Sequence, residues 1–167
     1  YTVGDSAYGY KGLGDIFVFI FFGLVSVIGV NFLMTQQIDF LLLLPAISIG
    51  FLSSAVLNLN NMRDENSDRN ANKKTLVVIN GKKFAKAYHI SLIAGAFVSL
   101  LVYIIVKFNQ NLFLIYASLL AFVPLVFHLK KIVNYKDPKK LDPELKKVAL
   151  STFALALIFF IILSLSY

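Results

Sequence analysis

The chain has 167 residues, 58% of them hydrophobic and 15% charged, with a formal net charge of +7. So little charge, with a mean hydropathy of +0.76, excludes an ordinary water-soluble domain and indicates an integral membrane protein; the lack of cysteine excludes a disulfide framework and any thiolate metal site. The positive charge lies in the gaps between apolar runs, as in the cytoplasmic loops of membrane proteins, and is read as a topology signal in a lipid bilayer, with no nucleic acid partner.

Residues 1–14 are polar, aromatic and glycine-rich, and read as a loop or interfacial segment. The opening Tyr-Thr-Val-Gly-Asp is not a signal peptide and reads as the middle of a longer chain. The first apolar span covers 15–34, about the 20 residues needed to cross the hydrocarbon core. Lys11 and Asp15 flank its start, and an acid there either complements the helix N-terminus or belongs to a site. Phe17, Phe19, Phe21 and Phe22 read as lipid-facing or packing groups.

After a short turn at 35–39, the second span covers 40–60, with Pro45 near its start. Ser48, Gly50, Ser53 and Ser54 suit close helix packing. Asn58, Asn60 and Asn61 end the span; amides so near hydrocarbon need partners or a water-filled cavity, and a cavity is expected at this end. Residues 62–83 are polar, with a turn signal at Asn80-Gly81. The third span is 84–106 and the fourth 112–129, with a kink expected at Pro124. A basic connector, 130–147, leads to a fifth span at 148–166. Asp137 and Asp142 each precede a proline and read as turn residues; Lys139 and Lys140 read as a solvated loop or a contact with anionic headgroups. His89 and His128, distant in sequence, read as separate interfacial residues.

Charge orders these spans. Gap 35–39 holds no Lys or Arg and gap 107–111 holds one, whereas 62–83 holds six and 130–147 holds seven. Rich gaps alternate with poor ones, as five spans require, and the rich ones are placed on the cytoplasmic side of the membrane together with the N-terminal loop. The fold class is an all-α membrane protein, a bundle of about five transmembrane helices in a single domain.

The chemistry concentrates between Leu57 and His89, where Asn60, Asp64 and Asp68 are spaced four apart. On a helix each such step advances about 40°, so the three fall on one face and offer oxygen donors to a cation. Arg63, Arg69, Lys73 and Lys74 crowd the same stretch. A carboxylate pair beside a basic cluster suits a substrate that brings anionic oxygens and Mg²⁺ together, such as a diphosphate. With apolar spans adjoining, that substrate would be amphiphilic. Mg²⁺ would neutralise the leaving diphosphate, Arg and Lys would share its charge, and Tyr8 and Tyr10 could shield an allylic cation. The same spacing also occurs in solvated loops.

The run Asn60-Asn61-Met62-Arg63-Asp64, followed by Asp68-Arg69 and by Lys73-Lys74-Thr75-Leu76-Val77-Val78, closely resembles the second aspartate-rich motif of the UbiA superfamily of intramembrane prenyltransferases. Within it the run is most similar to the 1,4-dihydroxy-2-naphthoate polyprenyltransferases, as are Tyr8–Asp15 and the connector at 137–143. The resemblance implies transfer of an all-trans polyprenyl group from its diphosphate to 1,4-dihydroxy-2-naphthoate, with Mg²⁺, releasing diphosphate and carbon dioxide and giving demethylmenaquinol, at the inner membrane of a bacterium. It implies Asp64 and Asp68 as Mg²⁺ ligands with Asn60 assisting, Arg63, Lys73, Lys74 and Lys11 as diphosphate cations, Asp15 as a group for the naphthoate hydroxyl or departing proton, and Tyr8 and Tyr10 as acceptor or carbocation contacts. The family has about nine spans and a further aspartate-rich motif, which this sequence lacks. The chain is therefore expected to be the C-terminal part of such a fold, to need the missing N-terminal part as partner, and to be inactive alone. Two other readings stand: the same fold with another acceptor (4-hydroxybenzoate, a chlorophyll precursor or haem), and a non-catalytic helical membrane protein.

Overall fold

The computed structural model describes residues 12–108 and 113–165, and among these no strand occurs. The helices are α1 (Gly14–Thr35), α2 (Phe40–Arg63), α3 (Glu65–Asn70), α4 (Leu76–Phe108), α5 (Leu114–Asn134) and α6 (Pro138–Leu165). All except α3 are long and apolar enough to cross a membrane, and the protein is an all-α membrane bundle.

Helix α2 is the hub: it packs against α1, α4 and α6, while α5 closes the ring between α4 and α6. Lipid tails are as apolar as side chains, so close backbone approach and interhelical hydrogen bonds hold such helices together. The small residues of α2 supply both. Gly23 of α1 and Gly50 of α2 meet so closely that a Cβ on Gly23 would stand 2.7 Å from the Gly50 Cα and the Ala46 carbonyl oxygen. Ser48 Oγ donates to the Ala96 carbonyl at 2.8 Å, Ser99 Oγ to that of Leu44 at 2.7 Å, and Asn58 Nδ2 to that of Ala85 at 3.0 Å. Leu52, Leu59 and Met62 of α2 and Val77 and Ala85 of α4 are buried in one hydrophobic core. The outer face of α1 is open, with Phe21 and Phe22 exposed, while Phe19 packs on Phe51.

Two spans begin earlier than the hydropathy pattern suggests. Helix α4 starts at Leu76 instead of 84, and its axis breaks at Gly81, whose φ of +79° falls where a residue with a Cβ is strained. Helix α6 starts at Pro138 instead of 148. The Asp137 side chain accepts the Lys139 N–H at 3.0 Å, and Pro138 and Pro143 occupy first-turn positions where a missing N–H costs little. The basic connector is thus mostly helix. At Pro124 the helix changes pitch: α5 runs in tight i→i+3 turns to Phe122 and is regular from Val123.

The charge-rich gaps meet at one end of the bundle. Arg63 pairs with Asp142 at 2.9 Å, and Lys86 Nζ donates to the Val133 carbonyl at 2.7 Å. At the opposite end Lys107 pairs with Asp39 at 3.3 Å.

Candidate active site

The three aligned residues of the polar stretch stay one helical turn apart although α2 ends between them. The Asp64 N–H donates to the Asn60 carbonyl at 2.9 Å and the Asp68 N–H to the Asp64 carbonyl at 2.8 Å, so the turn is carried through the junction from α2 into α3. Beyond α3 the chain reverses at Asn72, which holds a left-handed φ of 55° that asparagine tolerates. The reversal returns Lys73 onto Asp68, with Nζ at 3.1 and 3.2 Å from the two carboxylate oxygens.

Arg63 serves Asp64 as Lys73 serves Asp68, with more contacts. Its Nε and Nη2 each donate to an Asp64 oxygen at 2.8 Å, and Nη2 also donates to Asn60 Oδ1 at 2.8 Å. The third nitrogen, Nη1, donates to Asp142 Oδ1 at 2.9 Å. This guanidinium holds the Asp64 carboxyl below the usual carboxylate range against the opposing effect of burial, so Asp64 is ionised at neutral pH. Asp68 is buried and Asp64 half-buried.

An apolar cleft opens beside Asn60. About 440 Å³ in volume, it lies between α1 and α6 on the surface of α2, lined by Val18 and Phe22, by Val56, Leu57 and Asn60, and by Leu145 and Ala149. A second apolar cavity of about 350 Å³ follows further along the same three helices, lined among others by Val27, Ile49, Leu155 and Phe159, and also touches Tyr103 of α4. Of the three amides that end α2, Asn60 lines the cleft; Asn58 and Asn61 are instead packed inside the protein, so the expectation of a cavity holds for one of them.

Other residues singled out from the sequence are placed apart. Asp15 is buried at the start of α1, where its backbone carbonyl accepts Ser54 Oγ at 3.3 Å and Tyr88 partners its carboxyl group. Its Oδ1 has no hydrogen-bond partner among the described residues. Lys74 is exposed, and its carbonyl oxygen would lie 3.0 Å from a Cβ on Gly12, which puts the end of the N-terminal loop beside the polar stretch. Lys11, Tyr8 and Tyr10 lie outside the described residues.

The histidine reading is corrected. His89 and His128 are not separate: both are fully buried, with Nε2 atoms 2.8 Å apart. His128 Nδ1 lies 2.7 Å from Glu144 Oε2, and Glu144 also pairs with Lys131 at 2.9 Å and Lys147 at 2.9 Å. Asp142 likewise does more than turn the chain, since it opens the regular part of α6 and binds Arg63. Sequence reasoning also passed over Glu65, which is buried against Arg69 at 3.2 Å and Lys82 at 3.8 Å. Its place beside Asp64 was the available signal; nothing in the sequence joined Arg63 to Asp142 or His89 to His128.

Residues 1–150 match the UbiA prenyltransferase family. The chain belongs to that family. It is 40% identical over 162 residues to the 1,4-dihydroxy-2-naphthoate octaprenyltransferase of Escherichia coli (strain K12), covering 95% of this chain and 51% of that protein. The enzyme of the same description from Haemophilus influenzae is 38% identical with the same coverage. UbiA prenyltransferase domain-containing protein 1 of Mus musculus is 29% identical, covering 88% of this chain and 42% of the relative. This UbiA chain thus spans about half the length of the curated Escherichia coli and Haemophilus influenzae relatives. No solved structure matches it.

Proposed function

We propose that this chain contributes the diphosphate-binding half of a membrane prenyltransferase that joins a polyprenyl group to 1,4-dihydroxy-2-naphthoate, with decarboxylation, in menaquinone biosynthesis. The observation that carries the reading is the position of Asn60, Asp64 and Asp68, one turn apart with Arg63 and Lys73 on them, the first of the three lining an apolar cleft. A charged head and a long apolar tail would find their complements there in the right order. The names of the Escherichia coli and Haemophilus influenzae relatives supply the acceptor.

The donor set fits Mg²⁺. Asn60 Oδ1 and the Asp64 and Asp68 carboxylates are hard oxygen donors, each already holding a cationic group, and Mg²⁺ takes few protein carboxylates alongside substrate phosphate oxygens. When bound, the ion would supply charge neutralisation for the departing diphosphate. Arg63 and Lys73 would leave these carboxylates for the diphosphate oxygens, with Lys74 and Lys11 as further cations. The cleft and the cavity beyond it would take the prenyl tail and keep water from the cation left when the C–O bond breaks. The electron-rich ring carbon would form the new C–C bond, and loss of carbon dioxide would return an electron pair to the ring. Asp15, whose buried Oδ1 has no hydrogen-bond partner among the described residues, would be the group for a naphthoate hydroxyl or its proton, and Tyr8 and Tyr10 would line the acceptor side. The site would face the cytoplasm at the bacterial plasma membrane, and a further helical half would complete it.

The test is product formation from octaprenyl diphosphate and 1,4-dihydroxy-2-naphthoate in membranes holding this chain with the N-terminal half of the Escherichia coli relative, against membranes holding either alone. Mg²⁺-dependent product from the pair only is expected. Activity of the isolated chain would overturn the need for a second half, and a pair active only on 4-hydroxybenzoate would overturn the acceptor.

A further inference from the structure

Every oxygen that the proposed metal site would use on Asn60 and Asp64 is engaged by Arg63. Each of these oxygens keeps a second lone pair, but a cation bound there would stand beside the guanidinium charge, so its binding is favoured when the guanidinium shifts away; a guanidinium left without an anion at the edge of a membrane protein resists that shift. The fourth acceptor on Arg63 is Asp142, which comes from a different helix and lies 79 positions away in sequence. Its side chain is 59% exposed, against 31% for Asp64, so it can hold the guanidinium without being part of the enclosed donor set.

We propose that Asp142 is a positioning residue that receives Arg63 when Asn60 and Asp64 turn to a divalent cation, and that it thereby sets the affinity of the site for that cation. This rests on the metal-diphosphate reading of the site. Two effects act in one direction. Without the Asp142 charge, Arg63 commits more fully to Asp64, and the site also loses one negative charge from its surroundings. In the exchanged state Arg63 stays anchored beside the cation and faces the incoming diphosphate. Asp142 is held in place because Glu144, two residues on, is fixed by His128, Lys131 and Lys147.

The experiment is Mn²⁺ binding to this chain paired with the N-terminal half of the Escherichia coli relative in lipid nanodiscs without substrate, read from the free-ion electron paramagnetic resonance signal. Asp142→Asn is expected to weaken Mn²⁺ binding about threefold or more, the scale of one half-exposed ion pair. Asp142→Glu restores binding. Arg63→Gln tightens it, and in that background Asp142→Asn changes the affinity less than about twofold, because the part that acts through Arg63 is gone and only the loss of a nearby charge remains. Asp142→Ser, which keeps an acceptor at the helix start, serves if Asn disturbs the fold; thermal unfolding by circular dichroism decides between them. An unchanged affinity in the single variant, or the same loss with and without Arg63, overturns the proposal. Wild-type binding that is absent or indifferent to Asp64→Asn overturns the metal reading, and this inference with it.

Discussion

Arg63 and Glu144 each centre a charge cluster at the same end of the bundle, and the two differ in burial. Arg63 and its partners Asp64 and Asp142 are one-third to more than half exposed, whereas Glu144 and His128 are nearly sealed from solvent. Exposed pairs are weak and exchange partners readily; a buried carboxylate left unpaired is costly. The first cluster is therefore suited to giving up its cations to a substrate, and the second to fastening α4, α5 and α6. Similar residue types do opposite work because of the solvent around them.

The sharpest way to break the comparison is Glu144→Ala. It strands two lysines and His128, and a loss of about 3–5 kcal/mol is expected in reversible unfolding in mixed micelles. Asp64→Asn should behave inversely, with product formation by the reconstituted pair falling roughly a hundredfold while stability changes by less than about 1 kcal/mol. If Asp64→Asn unfolds the protein as Glu144→Ala does, the distinction fails. His89→Phe removes only the end of the buried chain, leaves His128 Nε2 without its partner, and should cost about 1–3 kcal/mol in the same assay.

The smallest effect concerns pH. Arg63 lowers the folded pKa of Asp64, so its contribution to stability is complete above the ordinary value of 3.8 and is lost as pH falls through the lower folded value. Unfolding measured from pH 6 to pH 3 should therefore depend less on pH in Arg63→Gln than in the wild type, and an identical profile would show that the pair is too solvated to matter.

Much of this was legible from residue order. Hydropathy located five spans because a membrane-crossing segment must be apolar along its length, and alternating charge placed the two rich gaps at one end. The serines and glycine of α2 announced close packing, and a spacing of four kept Asn60, Asp64 and Asp68 on one face, since that depends only on the helical repeat. The starts of α4 and α6 were missed because hydropathy reports lipid and not helix: Leu76–Asn80 precedes a break at Gly81, and Pro138–Lys147 is helical but basic.

What the sequence by itself determined is whatever follows from local chemistry: an all-helical membrane protein, its spans, the side on which its charge gathers, and a motif that identifies its family. Only the tertiary structure decided which distant residues meet. His89 with His128, Arg63 with Asp142, and the cleft between α1 and α6 all depend on how separate helices are rotated and shifted against one another on α2. Contacts between a few small residues, such as Gly23 on Gly50, set that rotation, and no periodicity along the chain records it.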